Sequence, residues 1–171
     1  MSLVGFKAQN HGQQVRRRGA NPKVDDRQTA PEVFAALHKR FRFTVDVAAS
    51  AQNKKLERFY TPAEDGLAQP WGGERVWCNP PYSSIEPWVE KAWAESQRAD
   101  LIVMLLPANR TEQGWWQRHV ESPRRRREPA FSVEFLAGRM RFIAPDALEV
   151  KPNERPPFGV CLLIWDRLHG T

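Results

Sequence analysis

The 171-residue chain predicts a single α/β domain, a mainly parallel sheet carrying an antiparallel C-terminal edge strand. Three observations predict it. Leu101-Ile102-Val103-Met104-Leu105-Leu106 is a continuous apolar run of strand length, the pattern of a strand covered on both faces. Short apolar runs alternate with helical stripes up to Val120, which implies parallel strands joined by crossover helices. After that point two strand-like segments follow with no helix between them, which implies an antiparallel hairpin at the edge. A chain this long can bury about 70% of its unfolded surface, and its 41% apolar content with seven Trp and nine Phe supports a packed core.

Charge and cysteine usage narrow the class further. The formal charge is +6, and residues 1–28 supply +4 of it from six Lys/Arg against Asp25 and Asp26. Arg124-Arg125-Arg126-Arg127 exceeds the remaining surplus, so a near-neutral body carries two basic blocks. Such blocks suit phosphate backbones; a solvated loop and a polar tail account for them as well. No apolar run is long enough to cross a membrane. Cys78 and Cys161 lie in apolar runs and read as buried free thiols of a reducing compartment. His11, His38, His119 and His169 form no zinc signature, and no metal is expected.

Residues 1–28 are polar and aperiodic and read as a flexible basic arm, with Arg16-Arg17-Arg18 a possible nucleic-acid contact; residues 29–171 form the domain. Thr29-Ala30-Pro31-Glu32 has the form of a capping box with proline in the first turn, and Val33, Phe34, Leu37 and Phe41 make one helix face. Phe43-Thr44-Val45-Asp46 is a short strand ending in an acid, followed by the small residues Val47-Ala48-Ala49-Ser50. A carboxylate there suits the ammonium or hydroxyls of a ligand; an N-cap for a helix near Ala48 is the alternative. Thr61-Pro62-Ala63-Glu64 again resembles a capping box, with Gly66 as the helix stop and Asp65 on a tight loop between two strands. Asn53 lies on the segment between.

Glu74-Arg75-Val76-Trp77-Cys78-Asn79-Pro80-Pro81-Tyr82 is the informative stretch. The strand stops at two prolines, which cannot continue a ladder. Asn79, a pair of proline carbonyls and Tyr82 are thus held at the carboxyl edge, where open α/β sheets bind ligands. Two acceptors there, the Asn79 side-chain oxygen and the Pro80 carbonyl, can take both hydrogens of a planar exocyclic amine. They draw its nitrogen toward tetrahedral geometry and aim the lone pair at an incoming methyl group. Tyr82 is placed to stack on a base turned out of its helix. By background usage an Asn-Pro-Pro-aromatic string occurs in under roughly 1% of chains this long; its structural alternative is a rigid proline turn with Tyr82 as packing.

Ser83-Ser84-Ile85-Glu86 starts a helix whose Ile85, Trp88, Val89, Ala92 and Trp93 form a core stripe. Asn109 and Arg110 follow the central strand at the same edge. Thr111 to Val120 is helical, with Trp115 and Trp116 partly packed, and Arg124 to Arg127 form a loop. Phe131 to Leu136 alternates like a half-exposed strand, Gly138 breaks it, and Arg139 to Phe142 resumes an extended pattern. A proline-rich loop, 144–157, leads to the final buried strand, Phe158 to Trp165.

Thr29-Ala30-Pro31-Glu32-Val33-Phe34, Asp46-Val47-Ala48-Ala49, Asp65-Gly66-Leu67, Trp71-Gly72, Trp77-Cys78-Asn79-Pro80-Pro81-Tyr82 and Gly138-Arg139-Met140-Arg141-Phe142, in this order, resemble the phage-type DNA N-6-adenine methyltransferases over about residues 29–166. The resemblance implies a Rossmann-like methyltransferase fold that uses S-adenosyl-L-methionine to methylate adenine in double-stranded DNA, in the cytoplasm of a host cell. It implies catalytic roles for Asn79, Pro80, Pro81 and Tyr82. Pro31, Phe34, Asp46, Ala48, Ala49, Ser50, Asn53, Asp65, Leu67 and Asn79 are implied at the cofactor, although no Gly-x-Gly follows Asp46. With no separate recognition domain, Tyr82, Ser83, Arg110, Arg124, Arg125, Arg126, Arg127, Arg139 and Arg141 are the expected nucleic-acid contacts, and sequence specificity is expected to be short or relaxed. An RNA adenine, a cytosine N4 or a protein glutamine amide are alternative targets of the same tetrad. A binding protein on an inactive scaffold is the alternative of another class.

Overall fold

The centre of the sheet is β4 (Leu101–Pro107), whose seven residues are all buried. The computed structural model describes residues 28–140, 142–143 and 158–168. In chain order these form β1 (Gln28–Thr29), α1 (Pro31–Phe41), β2 (Val45–Asp46), β3 (Arg75–Cys78), α2 (Glu86–Glu95) and β4. A helical segment follows, made of α3 (Gly114–Trp116), a π turn (Gln117–Glu121) and α4 (Ser122–Arg126); β5 (Phe131–Phe135), β6 (Phe142–Ile143) and β7 (Val160–Asp166) complete the order. No helix among the described residues is long and apolar enough to cross a membrane.

The sheet has five strands in the order β2-β3-β4-β7-β5. β3 pairs in parallel with β2 and with β4, whereas β7 is antiparallel to both β4 and β5. The sheet is therefore mixed, and the C-terminal strand is not at its edge as expected. β7 lies inside, and β5 takes the edge. The burial patterns explain the exchange. The first six residues of β7 are all buried, which requires cover on both faces, while β5 alternates and ends at Phe135, 60% exposed. The strand that can tolerate solvent occupies the edge.

Consecutive strand residues point to opposite layers. On one side Trp77, Leu101, Val103, Leu105, Leu162 and Ile164 pack against Phe34, Leu37 and Phe41 of α1. On the other, Val76, Cys78, Ile102, Met104 and Leu163 pack against Val89 and Ala92 of α2 and against Trp115, Trp116 and Val120. The stripes of both helices thus bury the faces their spacing indicates, and both tryptophans of α3 are more deeply buried than expected. Cys78 and Cys161 are buried free thiols.

Three local expectations change. Thr29 does not cap α1: the N-cap is Ala30 with no side-chain bond, and Pro31 opens the helix. Thr29 is instead a strand residue opposite Phe142, and Gln28, counted with the arm, pairs with Ile143. β6 accordingly leaves β5 and joins β1 in a separate two-stranded sheet, so no β5–β6 hairpin forms. The arginine run is not a loop but the end of α4, closed by Arg127 at φ 53°.

The interior placement of β7 has a measurable consequence. Leu163→Ala, at a fully buried position, should lower the free energy of unfolding in urea by about 3 kcal/mol. Phe135→Ser at the exposed end of β5 should cost under about 1 kcal/mol.

Candidate active site

The parallel register brings two chain ends to one edge. Asp46 of β2 lies beside Trp77 of β3, and Cys78 beside Met104 of β4. Asn79 therefore leaves the sheet next to the segment that follows Asp46. Pro80 is buried, and Pro81 and Tyr82 are half-buried.

The segment after Asp46 is a folded loop rather than a helix. Its return stretch lies alongside β2: Asp46 N donates to Arg58 O at 3.0 Å, Tyr60 N to Asp46 O at 2.9 Å and Ala49 N to Tyr60 O at 3.1 Å. Ser50 and Asn53 tie its tip, with Ser50 N on Asn53 Oδ1 at 2.6 Å and Asn53 N on Ser50 Oγ at 3.2 Å. The Asp46 carboxylate, 2% exposed, accepts from Lys55 N at 3.1 Å and from Ala48 N at 3.4 Å. It draws both arms of the loop together from beneath. Burial raises its pKa to about 6, against the opposing effects of these two N–H groups and the Lys55 charge.

Thr61 makes half of a capping box, its N donating to the Glu64 carboxylate, which also accepts from the Thr61 hydroxyl, yet the turn does not grow into a helix. Asp65 follows at φ 53°, and Gly66 answers a different need from the expected helix stop. A Cβ at Gly66 would stand 1.9 Å from the Val47 carbonyl oxygen and 3.2 Å from the Trp88 ring. Only glycine lets the Asp65 loop close onto the first residue after β2, and Trp71 Nε1 fastens it by donating to Gly66 O at 3.0 Å.

These segments enclose a cavity of about 480 Å3. Of the expected residues, Ala48, Ala49, Ser50, Asn53, Asp65, Asn79 and Pro81 line it. Asp46 sits below the floor, bonded to the loop. Phe34 lies in the opposite layer, its ring edge-on to Trp77 at 5.4 Å, and Pro31 is exposed at the start of α1; Leu67 is half-buried outside the lining. Val47, Tyr60, Thr61, Pro62, Gly66 and Trp88 line it without having been expected. Trp88 belongs to the α2 core stripe, and period alone cannot tell a core position from a cavity wall. Thr61 and Pro62 read as a helix start, which hid their inward face.

Tyr82 is held on three sides. Its hydroxyl donates to Leu105 O at 3.4 Å, and its ring meets Phe142 edge-on at 6.1 Å and Phe158 at 6.3 Å. Burial drives its pKa up, as it does those of the Cys78 and Cys161 thiols. None of the three is set to ionise near neutrality.

Among the expected nucleic-acid contacts, Ser83, Arg139 and Arg124 to Arg127 are exposed and Arg110 is half-buried. Arg124 and Arg125 both bond Glu121, at 2.9 and 2.8 Å, which pulls the Glu121 pKa down to about 2; Arg126 bonds Ser122 Oγ at 2.8 Å. Part of the block's charge is thus answered within its own helix. Arg141, the 1–27 arm and the 144–157 loop lie outside the described residues. Glu86, Glu90 and His119 bring possible ligand atoms within 4.8 Å of one another; Arg118 pairs with Glu86 and His119 lies 3.5 Å from Glu90, so the cluster ties α2 to the π turn.

The model of a family described as DNA N-6-adenine-methyltransferase (Dam) matches residues 18–170. A DNA N-6-adenine-methyltransferase of Escherichia phage T1 is 41% identical over 83 residues, 47% of this chain and 35% of that protein. A DNA N-6-adenine-methyltransferase of Haemophilus phage HP1 (strain HP1c1) is 33% identical over 73 residues, 43% of this chain and 42% of that protein. The chain thus spans less than half the length of these two relatives.

Tyr82→Phe removes only a bond to a backbone carbonyl and should cost about 1 kcal/mol of stability in urea. Asp46 titrates at 3.8 when unfolded and near 6 in the fold, so its charged form opposes folding at neutral pH. That penalty, about 3 kcal/mol at full shift, is relieved as pH falls from about 6 to about 4. Asp46→Asn should flatten the thermal stability profile across that window.

Proposed function

The chain belongs to the DNA N-6-adenine-methyltransferase family, and from that premise we propose that it transfers a methyl group from S-adenosyl-L-methionine to the exocyclic amine of adenine in DNA. The observation that carries this reading is the meeting of Asn79 and Pro81 with the loop after Asp46 around one cavity. The mixed sheet is read as a Rossmann-like methyltransferase sheet, with the cofactor at the carboxyl ends of β2 and β3.

The cavity fits such a cofactor. Its volume is in the range of small-molecule sites. Its wall is largely apolar, with Ser50, Asn53, Thr61, Asp65 and Asn79 as the polar groups. At Gly66 the chain packs directly on the Val47 carbonyl, so the two lining segments meet without a side chain between them. When bound, S-adenosyl-L-methionine supplies a methyl group on a positively charged sulfur. Ser50 and Asn53 at the loop tip and Asp65 on the facing turn supply hydrogen-bond partners for its polar groups, and Trp88 and Pro81 offer flat apolar walls.

Asn79 is the residue that acts on the target. Its side-chain oxygen and the Pro80 carbonyl accept the two amine hydrogens, so the nitrogen lone pair turns out of the ring plane toward the methyl carbon. The proton is lost after transfer, when the amine has become acidic, and no strongly basic side chain is required. Pro80 and Pro81 hold the chain rigid, and the bond from Tyr82 to Leu105 O fixes the motif to β4. Such preorganisation places the acceptors without a cost at the moment of reaction. Reaching them requires the adenine to leave its helix.

The test is transfer of labelled methyl to adenine-containing duplex DNA, with RNA and protein as parallel substrates. Label in the N6 of DNA adenine is expected; label confined to RNA or protein would overturn the substrate. Asn79→Ala should lower kcat at least 100-fold while calorimetry shows cofactor affinity within about threefold of the parent.

A further inference from the structure

Arg110 stands at the carboxyl edge of the sheet, on the turn between β4 and α3. The backbone around it is fixed: Ala108 N donates to Gly159 O at 2.9 Å, and Arg110 O accepts from Gln113 N at 3.0 Å. The side chain is half-buried, and its Nε is buried with no hydrogen-bond partner among the described residues. Four other arginines place Nε on an acceptor: Arg75 on Phe41 O at 2.7 Å, Arg167 on Ala99 O at 3.1 Å, and Arg124 and Arg125 on Glu121 at 2.9 and 2.8 Å.

A buried donor without an acceptor is uncommon and calls for a reason. A guanidinium cannot shed its proton to escape the cost, and among ligands an anion is the acceptor that suits it best. β3 and β4 are neighbours in register, Cys78 beside Met104. The Asn79 segment and the Arg110 turn therefore emerge from adjacent strands on the same edge. We propose that Arg110 anchors a backbone phosphate of the DNA strand that delivers its base to Asn79. The inference rests on the adenine-methylation reading above. It makes Arg110 a positioning residue and assigns it a larger share of DNA contact than Arg124 or Arg125, whose charge Glu121 already answers.

The experiment uses the full chain and a short labelled duplex containing adenines, with binding followed by fluorescence anisotropy across a KCl series. Arg110→Ala should weaken binding and reduce the slope of log K against log salt by about 0.9, the share of one phosphate, whereas Arg124→Ala should change it less. KM for DNA should rise more than kcat falls. Thermal unfolding of Arg110→Ala should be unchanged or shifted upward, because a buried unpaired donor has been removed; a purely structural arginine would shift it downward. Calorimetry with S-adenosyl-L-methionine should be unaffected. An unchanged salt slope, a fall in cofactor affinity in its place, or a loss of thermal stability would each overturn the proposal. Failure of the parent protein to methylate the same duplex would sink the methylation reading instead, and a slope change in that setting would leave the phosphate anchor standing.

Discussion

The arrangement depends on the hydrogen-bond register of β3 between its two parallel neighbours. It sets Asp46, Trp77 and the residues after Cys78 along one edge, so an amide and a loop distant in sequence share a cavity. A slip of one residue would send Trp77 into the layer of α2 and Cys78 into that of α1. The clash would be large, because Trp77 is wedged against Phe34 and Phe43. Packing on both faces thus protects the position of Asn79.

Several groups around the cavity hold positions that stability alone would not favour. The Asp46 carboxylate is buried with its pKa raised, Asp65 sits at positive φ, and Gly66 passes within contact of a carbonyl that forbids any side chain. Against a typical net stability of about 5–15 kcal/mol these are sizeable concessions. Each orders the loop or the turn that walls the cavity, which is where strained residues are expected to gather. The opposite layer, where α1 covers the sheet with aromatic rings, supplies the rigidity.

Much of the fold and part of the site could be read from the chain. The α1 and α2 stripes, the buried β4 and β7, and the strand stopped by Pro80 and Pro81 were all visible because local period and proline chemistry decide them. The loop residues Ala48 to Ser50, Asn53 and Asp65, expected at a cofactor, line the cavity. Thr29 misled because a capping pattern loses to strand pairing with Phe142 when the latter buries it. Trp88 was hidden because one half-buried aromatic on an amphipathic helix looks like another. The arginine run reads as a loop because a block of like charges repels itself and Pro123 precedes it; Glu121, three and four residues upstream, pairs with Arg124 and Arg125 and lets it stay helical.

What the amino-acid order determined alone is the principal strands, the α1 and α2 helices and the identity of the edge motif, since periodicity and the double proline act over a few positions. The tertiary structure decided which strand lies inside the sheet, which residues face the cavity, and that Asp46 serves the loop beneath it. Those outcomes turn on which surfaces compete for burial and on which donors meet which acceptors across long sequence distances, and no local pattern records that competition.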